Sequence, residues 1–249
     1  MIAKALGKPG GERDSRSMCV VAIALQIHPD WPLILVGNRD EFHARHAAPL
    51  GAWDDGSGIV AGRDLLASGT WLGAHPASGR IIVVTNVRGA LPDPAKESRG
   101  ALVVDLLRGD GRFADPVVAD LDCFNAFNLL AIGDGKVRLL SNRPQPQILS
   151  LRPGVHALAN EPIHSPCPRA ERLRAALAAV VDSQTDPDRL LDMLSAEDDP
   201  ALFLRGDIYG TRASTLVAVA ADGSARMIER RYEAGGRPVG TTALQFRIG

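Results

Sequence analysis

A thiol, several guanidinium groups and two side-chain amides stand at the ends of apolar runs in this chain. Cys19 opens the run at residues 19–27, and Asn38, Arg39, Asp40 and Glu41 close the one that begins at Leu33. Asn86 and Arg88 end the run at 80–87, Asn160 follows 155–159, and Arg212 precedes 214–220. A Cys thiolate is a strong nucleophile, and a neighbouring Arg lowers the pKa of its thiol; Arg39 and Arg212 are the candidates for that task. The amides of Asn86 and Asn160 could donate to the oxyanion formed at an attacked carbonyl. Asp40 could orient an amine or Arg39, while Asn38, Glu41 and Arg88 are candidate ligand contacts. If Cys19 were the first residue, its own α-amine, with a pKa of about 8, could act as the base. That needs removal of everything through Met18.

Each of these residues also has a plain structural reading. A Cys at the start of a buried strand is often a small apolar filler. Arg39 beside Asp40 or Glu41 can be a structural ion pair, and Asn86 and Asn160 can be turn residues. Strand ends are nonetheless where a rigid scaffold holds catalytic or binding groups.

The elements that must position these groups follow from the apolar pattern. Residues 19–27 and 33–36 read as a hairpin of buried strands, with further strands at 59–62, 71–74 and 80–87. Ser98 caps a helix whose stripe is Leu102, Val103, Leu106 and Leu107, and Gly109 ends it. Asp115-Pro116 starts a second, shorter helix. Strands at 127–132 and 136–140 flank Gly133-Asp134-Gly135, a hairpin signal, and 155–159 is another strand. Helices follow at 169–181 and from Asp186-Pro187 to Leu194, and two last strands, 214–220 and 225–231, pair across Asp222-Gly223. Strands arrive in hairpins and helices in blocks, which is an α+β pattern of antiparallel sheets. Residues 1–17 read as a disordered leader or as sequence upstream of a true start at Met18, and 18–249 as a single domain.

Composition excludes several classes. The 28 basic and 29 acidic residues leave a net charge of −1, and aromatics are 4%, so nucleic acid is not an expected partner. No apolar run reaches the length of a membrane span. Three widely spaced Cys suggest free thiols in a reducing, cytoplasmic setting. The six His form no HExxH or tight carboxylate cluster, so no metal site is expected. Gly56-Ser57-Gly58 lacks the P-loop Lys. Cys167-Pro168 could be a haem-thiolate dipeptide, but Pro168 also suits the first turn of the helix that follows.

Taken together, Met18-Cys19 and Asn38-Arg39-Asp40-Glu41 resemble the hallmark of the NRDE family, also called the transport and Golgi organisation family. Gly69-Thr70-Trp71-Leu72-Gly73, Thr85-Asn86-Val87-Arg88, Ser98-Arg99-Gly100, Phe127-Asn128-Leu129-Leu130 and Tyr209-Gly210-Thr211-Arg212 are similar too, as is the stretch from Pro153 to Asn160. The resemblance implies an N-terminal-nucleophile (Ntn) hydrolase-like fold, a four-layer αββα sandwich. Penicillin V acylases and bile salt hydrolases of that superfamily use an N-terminal Cys, an Arg and Asp after the second strand, two Asn and a late Arg. Cys19, Arg39, Asp40, Asn86, Asn160 and Arg212 are similar in order, although in those acylases the Asp stands a few residues beyond the Arg. Two functions are therefore expected as alternatives. One is a Cys amidohydrolase acting on a small amide or acyl substrate with no cofactor. The other is a carrier or chaperone for haem or an acyl lipid on the same scaffold.

Overall fold

The computed structural model describes residues 19–89, 91–181 and 186–249; the expected leader and Met18 lie outside the described residues. The chain is a mixed α/β structure dominated by two antiparallel sheets. The first has the order β10-β1-β2-β11-β12-β13. Its strands are β1 (Val20–Leu25), β2 (Leu33–Phe42), β10 (Gly154–Leu158), β11 (Tyr209–Val219), β12 (Ser224–Glu233) and β13 (Arg237–Arg247). The second runs β3 to β9 in sequence order. It contains β3 (Ala47–Ala52), β4 (Val60–Asp64), β5 (Leu72–His75), β6 (Arg80–Asn86), β7 (Phe127–Gly133), β8 (Lys136–Ser141) and β9 (Gln147–Ser150). Because neighbours are antiparallel, short turns suffice to join most of them.

Side chains alternate faces along a strand, so a strand buried on both faces needs apolar residues at every position. In β1, Val21, Ile23 and Leu25 share a core with Leu72, Ile81 and Val83 of the second sheet. Val20, Ala22 and Ala24 instead meet Leu173, Leu177 and Val181 of α2 (Pro168–Val181). The same division recurs in β6, where Ile82 and Val84 pack on Leu102, Val103, Leu106 and Leu107 of α1 (Arg99–Arg108). Each fully buried Leu in these stripes contributes roughly 1.5–3 kcal/mol.

The local signals for α1 hold. Ser98 accepts from the Ala101 N–H, and Gly109 stops the helix at φ 72°. Asp134 (φ 52°) and Gly135 (φ 68°) make the two-residue turn between β7 and β8. Elsewhere the elements differ from the sequence reading. No α-helix starts at Asp115-Pro116; a 3-10 turn forms at Val118–Cys123, its start held by the Val117 N–H donating to Asp120 at 2.9 Å. The segment at 186–194 divides into a 3-10 turn (Pro187–Arg189) and a single turn, α3 (Leu190–Met193). Strand β2 does not stop at Val36 but carries the charged tetrad to Phe42, because β11 pairs with it along its whole length. Strand β13 is an additional edge strand after β12. Pro238 and Gly240 interrupt its pattern, and only Thr242, Leu244 and Phe246 show half-buried alternation.

Candidate active site

Strand alternation splits the tetrad in β2. Leu33 and Leu35 face the second sheet while Ile34 and Val36 face α2, and continuing that period puts Arg39 and Glu41 on the first side and Asn38 and Asp40 on the other. Asn38 is fully buried there. It donates to the carbonyls of Leu194 (2.9 Å) and Leu202 (2.7 Å) and accepts from Ser214 at 2.6 Å. Asp40 takes an ion pair from Arg169 at 2.7 Å and a hydrogen bond from Thr211 at 2.7 Å. Burial raises the Asp40 carboxyl above its ordinary range, with Arg169 and Thr211 opposing. The side chains of Asn38 and Asp40 therefore tie the helical segments to the sheet. Asp40 does not pair with Arg39, because adjacent residues of a strand cannot share a face.

On the other side lies a cavity of about 470 Å³, lined by Cys19, Arg39, Glu41, Asn86, Arg99 and Arg212 among others. The Cys19 thiol is buried at its wall and sits 3.8 Å from the Asp40 backbone carbonyl, to which it donates. Burial pushes this thiol up to about 11, the Asp40 carboxylate adds to the rise, and Arg39 opposes it. Arg39 does pull the thiol down, as expected of a neighbouring guanidinium, but desolvation outweighs it. Arg39 shares its charge with Glu41 (3.6 Å) and Asp64 (3.5 Å), and Arg45 reaches Asp64 at 2.6 Å.

Arg212 reaches the cavity through a bulge. The β2–β11 register slips between Thr211 and Ala213, which leaves Arg212 as the extra residue. Its Nη1 donates to the carbonyls of Phe42 (3.1 Å), His43 (2.9 Å) and Arg45 (3.0 Å), and Nε to that of Tyr232 (3.3 Å). It clamps the β2–β3 turn beside the cavity.

The two amides are brought together but not as twin donors. Asn86 lines the cavity, whereas buried Asn160 donates its Nδ2 to the Asn86 backbone carbonyl, and its Oδ1 has no hydrogen-bond partner among the described residues. Asn160 thus supports Asn86 from behind. Arg88 stays outside, half-exposed, paired with Glu161 at 3.5 Å. Of the nine candidates, the side chains of Cys19, Arg39, Glu41, Asn86 and Arg212 converge, while those of Asn38, Asp40, Asn160 and Arg88 do not.

Arg99 and Arg169 were not read from the sequence as site residues. Arg99 is the first residue of α1 and donates to the Ala126 carbonyl at 2.9 Å. Arg169 lies four residues before Leu173, in line with the apolar stripe of α2, and a lone cation in such a stripe is the signal that marks it. Among the described residues no group of three or more His, Cys, Asp or Glu could hold a metal ion. Pro168 is the first residue of α2 and the Glu171 N–H donates to the Cys167 carbonyl, so Cys167-Pro168 serves as a helix start.

The arrangement defines a sheet-based scaffold with a Cys at the head of its first strand, facing a cavity of mixed polar and apolar lining. A solved structure is similar in fold. The Caenorhabditis elegans N-acylethanolamine-hydrolyzing acid amidase ortholog superposes with a TM-score of 0.52 at 10% identity, over 80% of this chain and 92% of that one. The fold is accordingly Ntn-hydrolase-like.

The chain belongs to the Transport and Golgi organisation 2 family, whose profile matches residues 18–234 and whose other name is NRDE. It is 28% identical to the Mus musculus Transport and Golgi organization 2 homolog over 257 residues, covering 86% of this chain and 92% of the relative. The Drosophila melanogaster Transport and Golgi organization protein 2 is 27% identical over 201 residues, 72% and 70% of the two chains. No helix among the described residues is long and apolar enough to cross a membrane.

Proposed function

We propose that this protein is a Cys amidohydrolase of the Ntn type, built as a four-layer αββα sandwich and acting on a small amide or acyl substrate without a cofactor. The observation that carries the reading is the Cys19 thiol at the wall of the 470 Å³ cavity, at the head of the strand that pairs with Arg39's strand. The three layers of core, sheet against sheet and each sheet against helix, support the four-layer description. The solved structure that is similar in fold is itself named for hydrolysing an acyl amide.

In this reading the Cys19 sulfur bonds to the substrate carbonyl carbon, and the Asn86 amide donates to the oxygen as it gains charge. The C–N bond then breaks and the amine leaves with the thiol proton. Water adds to the thioester, releasing the acid and restoring the thiol. A thiol held up at about 11 by burial needs a base close by. With the Met18–Cys19 peptide bond removed, the Cys19 α-amine supplies one. Asn160, through the Asn86 carbonyl, and Arg212, through the β2–β3 turn, are positioning residues.

The test compares the full chain, the chain beginning at Cys19, and Cys19→Ala, on a panel of acyl amides. Turnover only when Cys19 is first, and lost in Cys19→Ala, supports the reading; equal turnover in Cys19→Ala ends it. One observation favours the alternative, a carrier of an acyl lipid or haem as cargo. A neutral, buried thiol is the state expected of a wall residue that does no chemistry. Saturable binding without turnover by either chain would establish it. The three free cysteines support placing the protein in the cytoplasm.

A further inference from the structure

We propose that Arg99 and Arg212 form a receptor for an anionic head group, a carboxylate or phosphate, on the molecule that occupies the Cys19 cavity. The inference rests on the reading of that cavity as a ligand site and holds whether the ligand is hydrolysed or carried.

The argument is the charge pairing within the cavity. Arg39 and Arg45 face Glu41 and Asp64, Arg63 faces Asp55 at 3.1 Å, and Arg231 has Glu229 at 3.8 Å. Arg99 and Arg212 line the same space, yet among the described residues neither has a carboxylate within ion-pair distance. Their hydrogen bonds go to backbone carbonyls alone: Arg99 to Ala126, and Arg212 to Phe42, His43, Arg45 and Tyr232. A carbonyl orients a guanidinium but does not neutralise it. Both groups are half-buried, and burial lowers the pKa of each, the mark of a charge short of compensation.

Their placement matters as much as their charge. Arg99 comes from α1, on the outer face of the seven-stranded sheet, and Arg212 from the bulge in the six-stranded sheet. The two cations thus approach the cavity from a helix start and from a strand bulge, each oriented by carbonyls it already holds. A planar guanidinium fork matches the paired oxygens of a carboxylate or phosphate. Trp71, Val84 and Val239 also line the space and offer contact to an apolar body. The ligand class is therefore an amphiphilic acid rather than a neutral amide.

The test uses octanoate, octyl phosphate and the neutral octanamide as probes, with binding to the full-length chain measured by calorimetry. Both anions, or one of them, should bind at least about tenfold more tightly than octanamide, the worth of one charge-assisted hydrogen bond. Octanoate ahead of octyl phosphate identifies a carboxylate receptor, and the reverse identifies a phosphate receptor. Arg99→Gln should weaken the preferred anion by about tenfold and leave octanamide unchanged, and Arg212→Gln, which also frees the β2–β3 turn, should weaken the anion by at least as much. Arg99→Lys should restore part of the loss, and Arg138→Gln, whose partner Asp115 lies outside the cavity, should have no effect. Octanamide binding as tightly as both anions, no saturable binding of either anion, or undiminished anion binding in a folded Arg99→Gln would overturn the proposal. Equilibrium binding needs no nucleophile, so failure of the hydrolase reading, seen as absent turnover, is separate from failure here.

Discussion

Arg169 grips Asp40 from behind the sheet, Nη1 to Oδ2 at 2.7 Å, while the backbone carbonyl of the same Asp40 accepts the Cys19 thiol on the cavity side. One residue of β2 thus connects α2 to the candidate nucleophile. The Tyr209 hydroxyl donates to that same carbonyl at 3.1 Å and further fixes it.

Arg169→Met should leave the Asp40 carboxylate buried without its cation and destabilise the fold by about 3–5 kcal/mol. The double variant Arg169→Met with Asp40→Leu should recover much of that loss. Chemical denaturation of the four proteins in the cycle checks it; additive losses would mean that the pair is not coupled.

The Cys19 thiol should resist alkylation at neutral pH, its rate climbing with pH toward a midpoint near 11. Burial holds more protons on the folded state than on the unfolded chain between the ordinary value of 9.0 and 11. Stability from this group is therefore fully present below pH 9.0 and lost as pH rises through 11. Mass-resolved iodoacetamide labelling of Cys19 across pH measures the first effect, and denaturation from pH 8 to 11 in wild type and Cys19→Ala the second. A labelling midpoint at or below the ordinary thiol value would contradict this account.

Asn160→Ala removes the N–H that serves the Asn86 carbonyl and should cost about 1–3 kcal/mol, the penalty for stranding a polar group. In the hydrolase reading it should lower kcat more than it raises KM, since Asn160 acts through Asn86. Thermal melts and steady-state kinetics separate the two effects.

Gly69→Ala should destabilise the wall that carries Arg99. A Cβ at Gly69 would stand 2.5 Å from the Gly100 carbonyl carbon, so the β4–β5 loop and the start of α1 must part. A loss of about 1–3 kcal/mol is expected, together with faster amide exchange in the first turn of α1.

Gly109→Ala is a different case: the residue sits at φ 72° and a Cβ would meet the Arg80 guanidinium. It should shorten α1 at its C-terminal end, seen as faster exchange near Arg108, without altering the cavity.

Local pattern was enough to find β1, β6, β7 and α1. Their apolar positions recur at strand or helix period, and their ends carry residues whose backbone preferences are strong, such as Ser98, Gly109 and Asp134-Gly135. It was not enough for β13, whose edge position leaves one side unpaired and relaxes the demand for apolar residues. Nor could it find the extension of β2 through charged residues, since that depends on β11, which lies far away in sequence.

For the site, residue types and order along the chain were sufficient to nominate Cys19, Arg39, Asn86 and Arg212, because catalytic chemistry restricts which side chains can serve. Which face each occupies is a different matter. Asp40 turned to α2, Asn160 slipped behind Asn86, and Arg99, noted in sequence only as part of Ser98-Arg99-Gly100, entered the cavity from the start of a helix. Those outcomes depend on strand pairing, a one-residue bulge at Arg212 and the docking of helices on sheets. Each is a long-range arrangement whose energy comes from contacts between residues far apart in sequence, such as Asn38 and Ser214, 176 positions from each other, and no short stretch of sequence contains it.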